Sequence, residues 1–419
     1  MEQIYMQDAL AIYDQTFDES TSEWVINGTP VNVPLELYPD TVVYSLTNNI
    51  KVKLPKLHDN LATFECNAIN IDKLPDLPDS LLNLTIVNLN LKSIDKFPVN
   101  LWTLKCNDNK LTVLPDLPDT LEDITCSGNL LTELPTLPDE LTGLVCNDNK
   151  LTSLPVLPDT LHILNVSSNL LTELPTLSDS IEYITCSGNL LTELPTLPPH
   201  LEELTCDNNK LSILPTLPAT LIILNVSNNI LTEILVLPDD LSVFNCSNNQ
   251  LTLLPTLSPG LEELTCYNNQ LSILPPLPDT LLILNVSSNM LTEIPVLPDV
   301  LSVFNCSNNR LTLFPELPPN MTQLSFEGNP FTIDALKDYG TYIQNNPGVI
   351  HDLGMMVQPE YGRLQGVLQQ TQGTLAQLPD DVLGHIQSTF RQGGKTNKKR
   401  KKRKKRKKRK TRKKKSQLK

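Results

Sequence analysis

Leu121–Glu140 reads LEDITCSGNLLTELPTLPDE, and a copy of it begins every twenty residues. The phase is visible at Thr41 and runs to about Pro330, giving fourteen full units over 41–320 and one truncated unit. Written as a consensus, each unit is LxxLxCxxNxLTxLPxLPxx. Positions 1, 4, 6, 11, 14 and 17 are apolar, and positions 3, 5, 7 and 8 are mostly polar. The alternation at positions 3 to 7 predicts a short strand with one face in and one face out. About six apolar side chains per unit, each worth roughly 1.5–3 kcal/mol when fully buried, cannot hold one unit against the entropy of ordering it. Only stacking creates a continuous core, so the strict period overrides the two or three domains that 419 residues would otherwise suggest.

Stacking places the strands in a parallel sheet along the concave side. The Leu-Pro-x-Leu-Pro segment returns along the convex side, where proline removes a donor and fixes φ. An extended, polyproline-like or 3₁₀ return is therefore expected in place of a helix. At about 4.8 Å per strand the array makes a slim, twisted rod or arc roughly 65–70 Å long. Asn stands at position 9 in 13 of 15 units, from Asn49 to Asn329, with Ile69 and Leu89 as exceptions. Its amide can bond backbone groups of its own and neighbouring turns that burial would otherwise leave without partners.

All nine cysteines occupy position 6. Other units place Leu46, Ile86, Val166, Val226, Val286 or Phe326 there, so the site is a core site and the thiols are small apolar side chains. An odd count at one inward phase does not make a disulfide framework, and none of the five histidines clusters with the cysteines to hold zinc. A reducing, intracellular setting is expected. The opening MEQIYMQDALAIYDQTFDES lacks the basic and apolar runs of a signal peptide, and no segment has eighteen consecutive apolar residues to span a membrane. The Asn-x-Ser/Thr triplets at Asn165, Asn225 and Asn285 fall on polar strand positions and read as by-products of the repeat.

Charge is divided along the chain. Residues 391–419 hold 20 of the 33 Lys and Arg and no acid, leaving residues 1–390 with a net charge of −34. Residues 1–40 read as an N-terminal cap, with a short helix over Ile4, Ala9, Leu10 and Ile12 and extended segments around the Asn27-Gly28 turn signal. Residues 331–354 read as a helical C-terminal cap, on the spacing of Ile333, Leu336 and Tyr339, and 355–390 as a linker ending in a short helix. The segment Lys395–Lys419 carries 19 Lys and Arg in 25 residues and cannot bury anything. Its run Lys398, Lys399, Arg400, Lys401, Lys402, Arg403, Lys404, Lys405 and Arg406 fits non-specific nucleic acid or a nuclear targeting signal. It fits equally a solubilising tail, a tail lying against the acidic body, or slippage in a simple codon repeat.

The concave face is where such arrays bind. Position 3 presents Ile163, Tyr183, Ile223, Val243, Ile283 and Val303, interrupted by Glu203 and Glu263. Position 2 adds Ile222 and Leu282, and Tyr267 follows at position 7. A contiguous apolar stripe on an outward face fits a protein partner. β-Branched residues also favour strands wherever they lie, and residues 201–260 match 261–320 almost throughout, so the stripe is also what duplication would copy. There is no Gly-rich phosphate loop, no metal-ligand spacing and no Cys outside the core phase, so no cofactor, metal or small-molecule substrate is implied.

The unit is similar to the twenty-residue class of leucine-rich repeats found in bacterial type III secreted effectors. That resemblance covers about 41–330 and implies a leucine-rich repeat solenoid. Some of those effectors are ubiquitin ligases, but about ninety residues follow the repeats here, too few for the helical ligase domain, so ligase activity is not carried over. The segment from Leu378 to Ile386, LPDDVLGHI, faintly resembles the opening of an F-box, without the forty or so residues that motif needs. The duplicated repeats, the LPDDVLGHIQSTF-like helix and the GGK plus lysine/arginine tail together resemble leucine-rich proteins of giant DNA viruses. That likeness implies a host-cell setting, in cytoplasm, nucleus or virion. The reading is a non-enzymatic scaffold that binds a host or viral protein through the concave face. A nucleic-acid-associated, nuclear or virion protein acting through the tail is the alternative, and a ubiquitin ligase or F-box-like adaptor is least favoured.

Overall fold

The computed structural model describes residues 73–319 and 321–335 without interruption, together with 15–18, 23–26, 29–31, 41–45, 57, 59–67, 71, 338–339, 342 and 350–351. Sixteen parallel strands form one sheet in strict chain order, from Thr41–Ser45 at one end to Ile350–His351 at the other. Each strand pairs with the next residue for residue, as in Ile223↔Val243 and Leu224↔Phe244. Among the described residues the convex returns contain neither helix nor 3₁₀ turn, as the prolines require. The protein is a solenoid with strands on one side and extended chain on the other.

The inward residues make one continuous core. In the unit quoted above Leu121, Ile124, Cys126 and Leu131 are fully buried, and their counterparts recur through the array. The asparagine ladder is present as expected. Asn189 donates through Nδ2 to the carbonyls of Val166 (3.0 Å), Cys186 (3.0 Å) and Ser187 (3.4 Å), and its Oδ1 accepts from the Leu171 N–H at 3.0 Å. The same four bonds recur at Asn129, Asn149, Asn169, Asn209, Asn229, Asn249, Asn269, Asn289 and Asn309 with partners in the same phase. Where Leu89 replaces the Asn, the next unit's Asn109 serves both Leu89 N–H and Leu91 N–H.

The strands are mostly shorter than the alternation predicts. They cover positions 3 to 5, as in Ile163–Asn165; past that point the Asn amide takes the position 6 carbonyl and shares the position 7 carbonyl with the preceding unit's position 8 N–H. The units without that Asn, Thr63–Asn67 and Asn83–Val87, keep strands of five residues. Register also departs from the expected phase at the start. Thr41 lies opposite Thr63, two residues out of the repeat, a shift that leaves the inward and outward faces unchanged.

Position 8 carries a backbone demand that the consensus hides. Asp108, Asp148, Ser168, Asn208, Asn228, Asn248, Asn268, Ser288 and Asn308 have φ between 53 and 56°, and Gly128, Gly188 and Gly328 between 66 and 73°. Asn, Asp and Gly tolerate this left-handed region and Ser does so less readily. Ser288→Gly is expected to stabilise the array by about 0.5 kcal/mol, and Ser288→Val to destabilise it by about 1–2 kcal/mol. Urea unfolding of the two variants checks the pair; equal shifts would contradict the strained-backbone reading.

At the ends, Glu23–Ile26 and Thr29–Val31 pair as an antiparallel hairpin around Asn27-Gly28, joined by Gln15–Asp18. The short helix expected at residues 4–12 lies outside the described residues. Beyond the last repeat, positions 333–335, 338–339 and 342 are helical. Phe314, Phe326, Phe331 and Tyr339 stack there, with the Phe314 and Phe331 ring centroids 4.0 Å apart, and Tyr342 donates its hydroxyl to the Pro318 carbonyl at 2.7 Å. The strand Ile350–His351, which nothing in the spacing predicts, adds to Gln323–Ser325 and extends the sheet.

Candidate protein-binding face

The register places the position 3 side chains in one row. Ile163, Tyr183, Glu203, Ile223, Val243, Glu263, Ile283 and Val303 lie on successive strands, each opposite the next. A second row runs beside it at position 2, where backbone bonds join Ile222 N–H to the Glu202 carbonyl (2.9 Å) and Leu282 N–H to the Glu262 carbonyl (2.8 Å). Ile163 is 45% exposed and Ile222 37%, and Glu262 is exposed as well, while the other named residues of both rows are half-buried. The carbons that remain open are those on the outward face of the sheet. Tyr183 is tied across strands, its hydroxyl donating to Glu202 Oε2 at 2.9 Å. Tyr267 stands past its strand's end, and its hydroxyl accepts from Asn248 Nδ2 at 3.2 Å.

Other apolar side chains are more exposed, singly or in pairs such as Leu235 (76%) with Val236 (73%). Val156 (87%) and Val296 (89%) project from the convex return, and their counterparts in the adjoining units are Thr136, Thr176, Pro276 and Glu316. The concave rows differ in running over eight successive strands in register, with Glu203 and Glu263 between the apolar residues. One outward residue escaped the sequence reading. Trp102 lies at position 2, just before the strand Thr103–Lys105, and is 51% exposed; a lone aromatic at that outward position is the signal that marks it.

The inward chemistry is inert. All nine cysteines are buried free thiols. Burial pushes the thiols of Cys66 and Cys266 up to about 12, which disfavours the nucleophilic thiolate. Among the described residues no group of His, Cys, Asp and Glu could hold a metal ion, and no helix is long and apolar enough to cross a membrane. Lys398 to Arg406 and the segment 378–386 lie outside the described residues.

No protein-family model matches the chain, and no curated protein matches it. Solved structures do. YopM of Yersinia enterocolitica is 38% identical, with a TM-score of 0.65 over 70% of this chain and 69% of that one. The leucine-rich effector YopM of Yersinia pestis is 36% identical, with a TM-score of 0.66 over 71% of this chain and 85% of that one. A leucine-rich repeat protein of Leptospira interrogans shares the fold at 24% identity and a TM-score of 0.57, over 70% of this chain and 90% of that one. The chain belongs to the leucine-rich repeat family.

Proposed function

We propose that this chain is a non-enzymatic scaffold that holds a protein partner against its concave face. The observation that carries the reading is the contiguous double row from Ile163 to Val303, open on the outward side of a rigid sheet. YopM is described as a leucine-rich effector protein, and stacked repeats present extended concave binding surfaces. The partner would be a host or viral protein met inside a cell, given nine free thiols in the core. A second reading rests on the 19 Lys and Arg of Lys395–Lys419: contact with nucleic acid or nuclear targeting through the tail.

One experiment separates them. Full-length chain and the double variant Ile223→Glu/Ile283→Glu are used for affinity capture, each with and without nuclease. Under the first reading the variant loses its protein partner by tenfold or more, nuclease changes nothing, and stability moves by less than about 1 kcal/mol. Under the second, the variant captures as well as the parent and nuclease empties the capture. A variant that unfolds instead would make these positions part of the core and defeat the first reading.

A further inference from the structure

Between residues 151 and 300 the chain has sixteen Asp and Glu and a single Lys or Arg, Lys210. Lys210 is at repeat position 10, beyond its strand. No Lys or Arg occupies the outward positions 2, 3, 5 or 7 anywhere between Cys106 and Cys306. The sheet face carries two pairs of acids, Glu202 with Glu203 and Glu262 with Glu263, and Glu182 and Asp207 lie beside the first pair. The pairs are three strands apart, or about 14 Å at the spacing of a sheet. Ile222 and Ile223 lie between them, and Leu282 and Ile283 follow. The result is a sheet face of alternating anionic and aliphatic bands, on a body whose own cations stand elsewhere. Its complement is a strand of chain with many cations on long aliphatic stems, because such stems lie along apolar surface while their heads reach carboxylates.

The chain owns such a segment. Lys395–Lys419 has 19 Lys and Arg in 25 residues and no acid. The distance is also suitable. The last strand, Ile350–His351, lies four strands from Glu263 and seven from Glu203, or about 19 and 34 Å. Residues 352–394 connect that strand to the tail, and a coil of that length spans about 36 Å root-mean-square. Tethering then supplies an effective concentration on the order of millimolar, which turns individually weak ion pairs into occupancy.

We propose that Lys395–Lys419 docks in cis on the concave face between the strands Tyr183–Thr185 and Val303–Asn305, and that a protein partner must displace it. The second half of this proposal rests on the concave face being the partner's site. The docking itself is tested separately by a carbodiimide, which joins amines to carboxylates already in contact. Dilute full-length chain is mixed with an equal amount of its ¹⁵N-labelled copy, cross-linked and mapped by mass spectrometry. Links from tail lysines are expected at Glu202, Glu203, Glu262 and Glu263 at least fivefold more often than at the exposed convex acids Glu133, Glu173, Glu193 and Glu233. They should lie within one copy and fade in 0.5 M NaCl. Links spread evenly over both sides would mean diffuse attraction, and links only between light and heavy copies would mean docking in trans; either overturns the proposal. As a second measurement, the four-fold Glu→Gln variant of the concave acids should let trypsin remove the tail several times faster than from the parent. The matching convex variant should not, and equal rates in all three chains would also overturn it. Partner capture enters neither measurement, so loss of the scaffold reading and loss of tail docking are told apart.

Discussion

Asn189→Ala is expected to cost the array about 3–5 kcal/mol, far more than its size implies. The side chain contributes almost nothing by burial of carbon. What it does is satisfy the carbonyls of Val166 and Cys186 and the N–H of Leu171, all enclosed between stacked turns. Alanine leaves the three without partners at roughly 1–3 kcal/mol each, partly relieved by relaxation. Because contacts in an array are between neighbours, the damage should be local before it is global. Hydrogen exchange should show the Leu171 amide and the adjoining turns losing protection, while amides near Leu284 keep theirs. Urea unfolding supplies the total. A loss below about 1 kcal/mol with the Leu171 amide still protected would show that the ladder is ornamental.

Alkaline pH should act on the other ladder. Burial raises the thiols of Cys66, Cys106, Cys246, Cys266 and Cys306; at Cys146 and Cys206 a hydrogen bond to the neighbouring thiol is the first cause, with burial next. The native state keeps these groups neutral when the unfolded chain, with thiols near 9.0, has begun to ionise. The stability they carry is complete below pH 9 and is lost as pH rises toward the native values, about 12 for Cys66 and Cys266. Each such thiol costs about 1.4 kcal/mol per pH unit in that window. The array itself uses Val166, Val226 and Val286 at the same buried position. Cys106→Val/Cys146→Val should therefore be nearly neutral at pH 7 and flatten the fall above pH 9 by about 2.7 kcal/mol per pH unit. Unfolding at intervals from pH 7 to 10.5 measures this. Parallel curves for parent and variant would mean that the thiols are not what fails.

Much of this molecule is readable from its period. The inward phases, the parallel sheet, the helix-free returns and the roles of Cys126 and Asn129 follow from which residues substitute for one another at one position. The left-handed backbone at position 8 was hidden because Asp, Asn, Ser and Gly look there like ordinary polar strand residues. So was the strand's early end, since beyond position 5 the side-chain amide takes the position 6 carbonyl, which the alternation does not reveal. Ile350–His351 joins the sheet without any repeat signal, because pairing at an edge needs backbone groups and little else. The outward row at Ile223 was visible as a pattern. Its alternation of acid and aliphatic bands became meaningful only once the strands were known to lie in register.

The asparagine bonds also have a direction. Asn189 serves Val166 and Leu171 of the unit before it, and Asn209 in turn serves Cys186 and Leu191. A unit's amides at positions 2, 3 and 10 donate to its predecessor, as Tyr183 N–H does to His162, but the groups this asparagine closes wait for its successor. As the chain leaves a ribosome, each coil must wait for about one more coil to emerge before its polar groups are closed, so the newest coil is always the unfinished one. Growth of the array resembles a zip whose slider trails synthesis by one tooth. The aromatic cluster of Phe314, Phe326, Phe331 and Tyr339 is where that slider comes to rest.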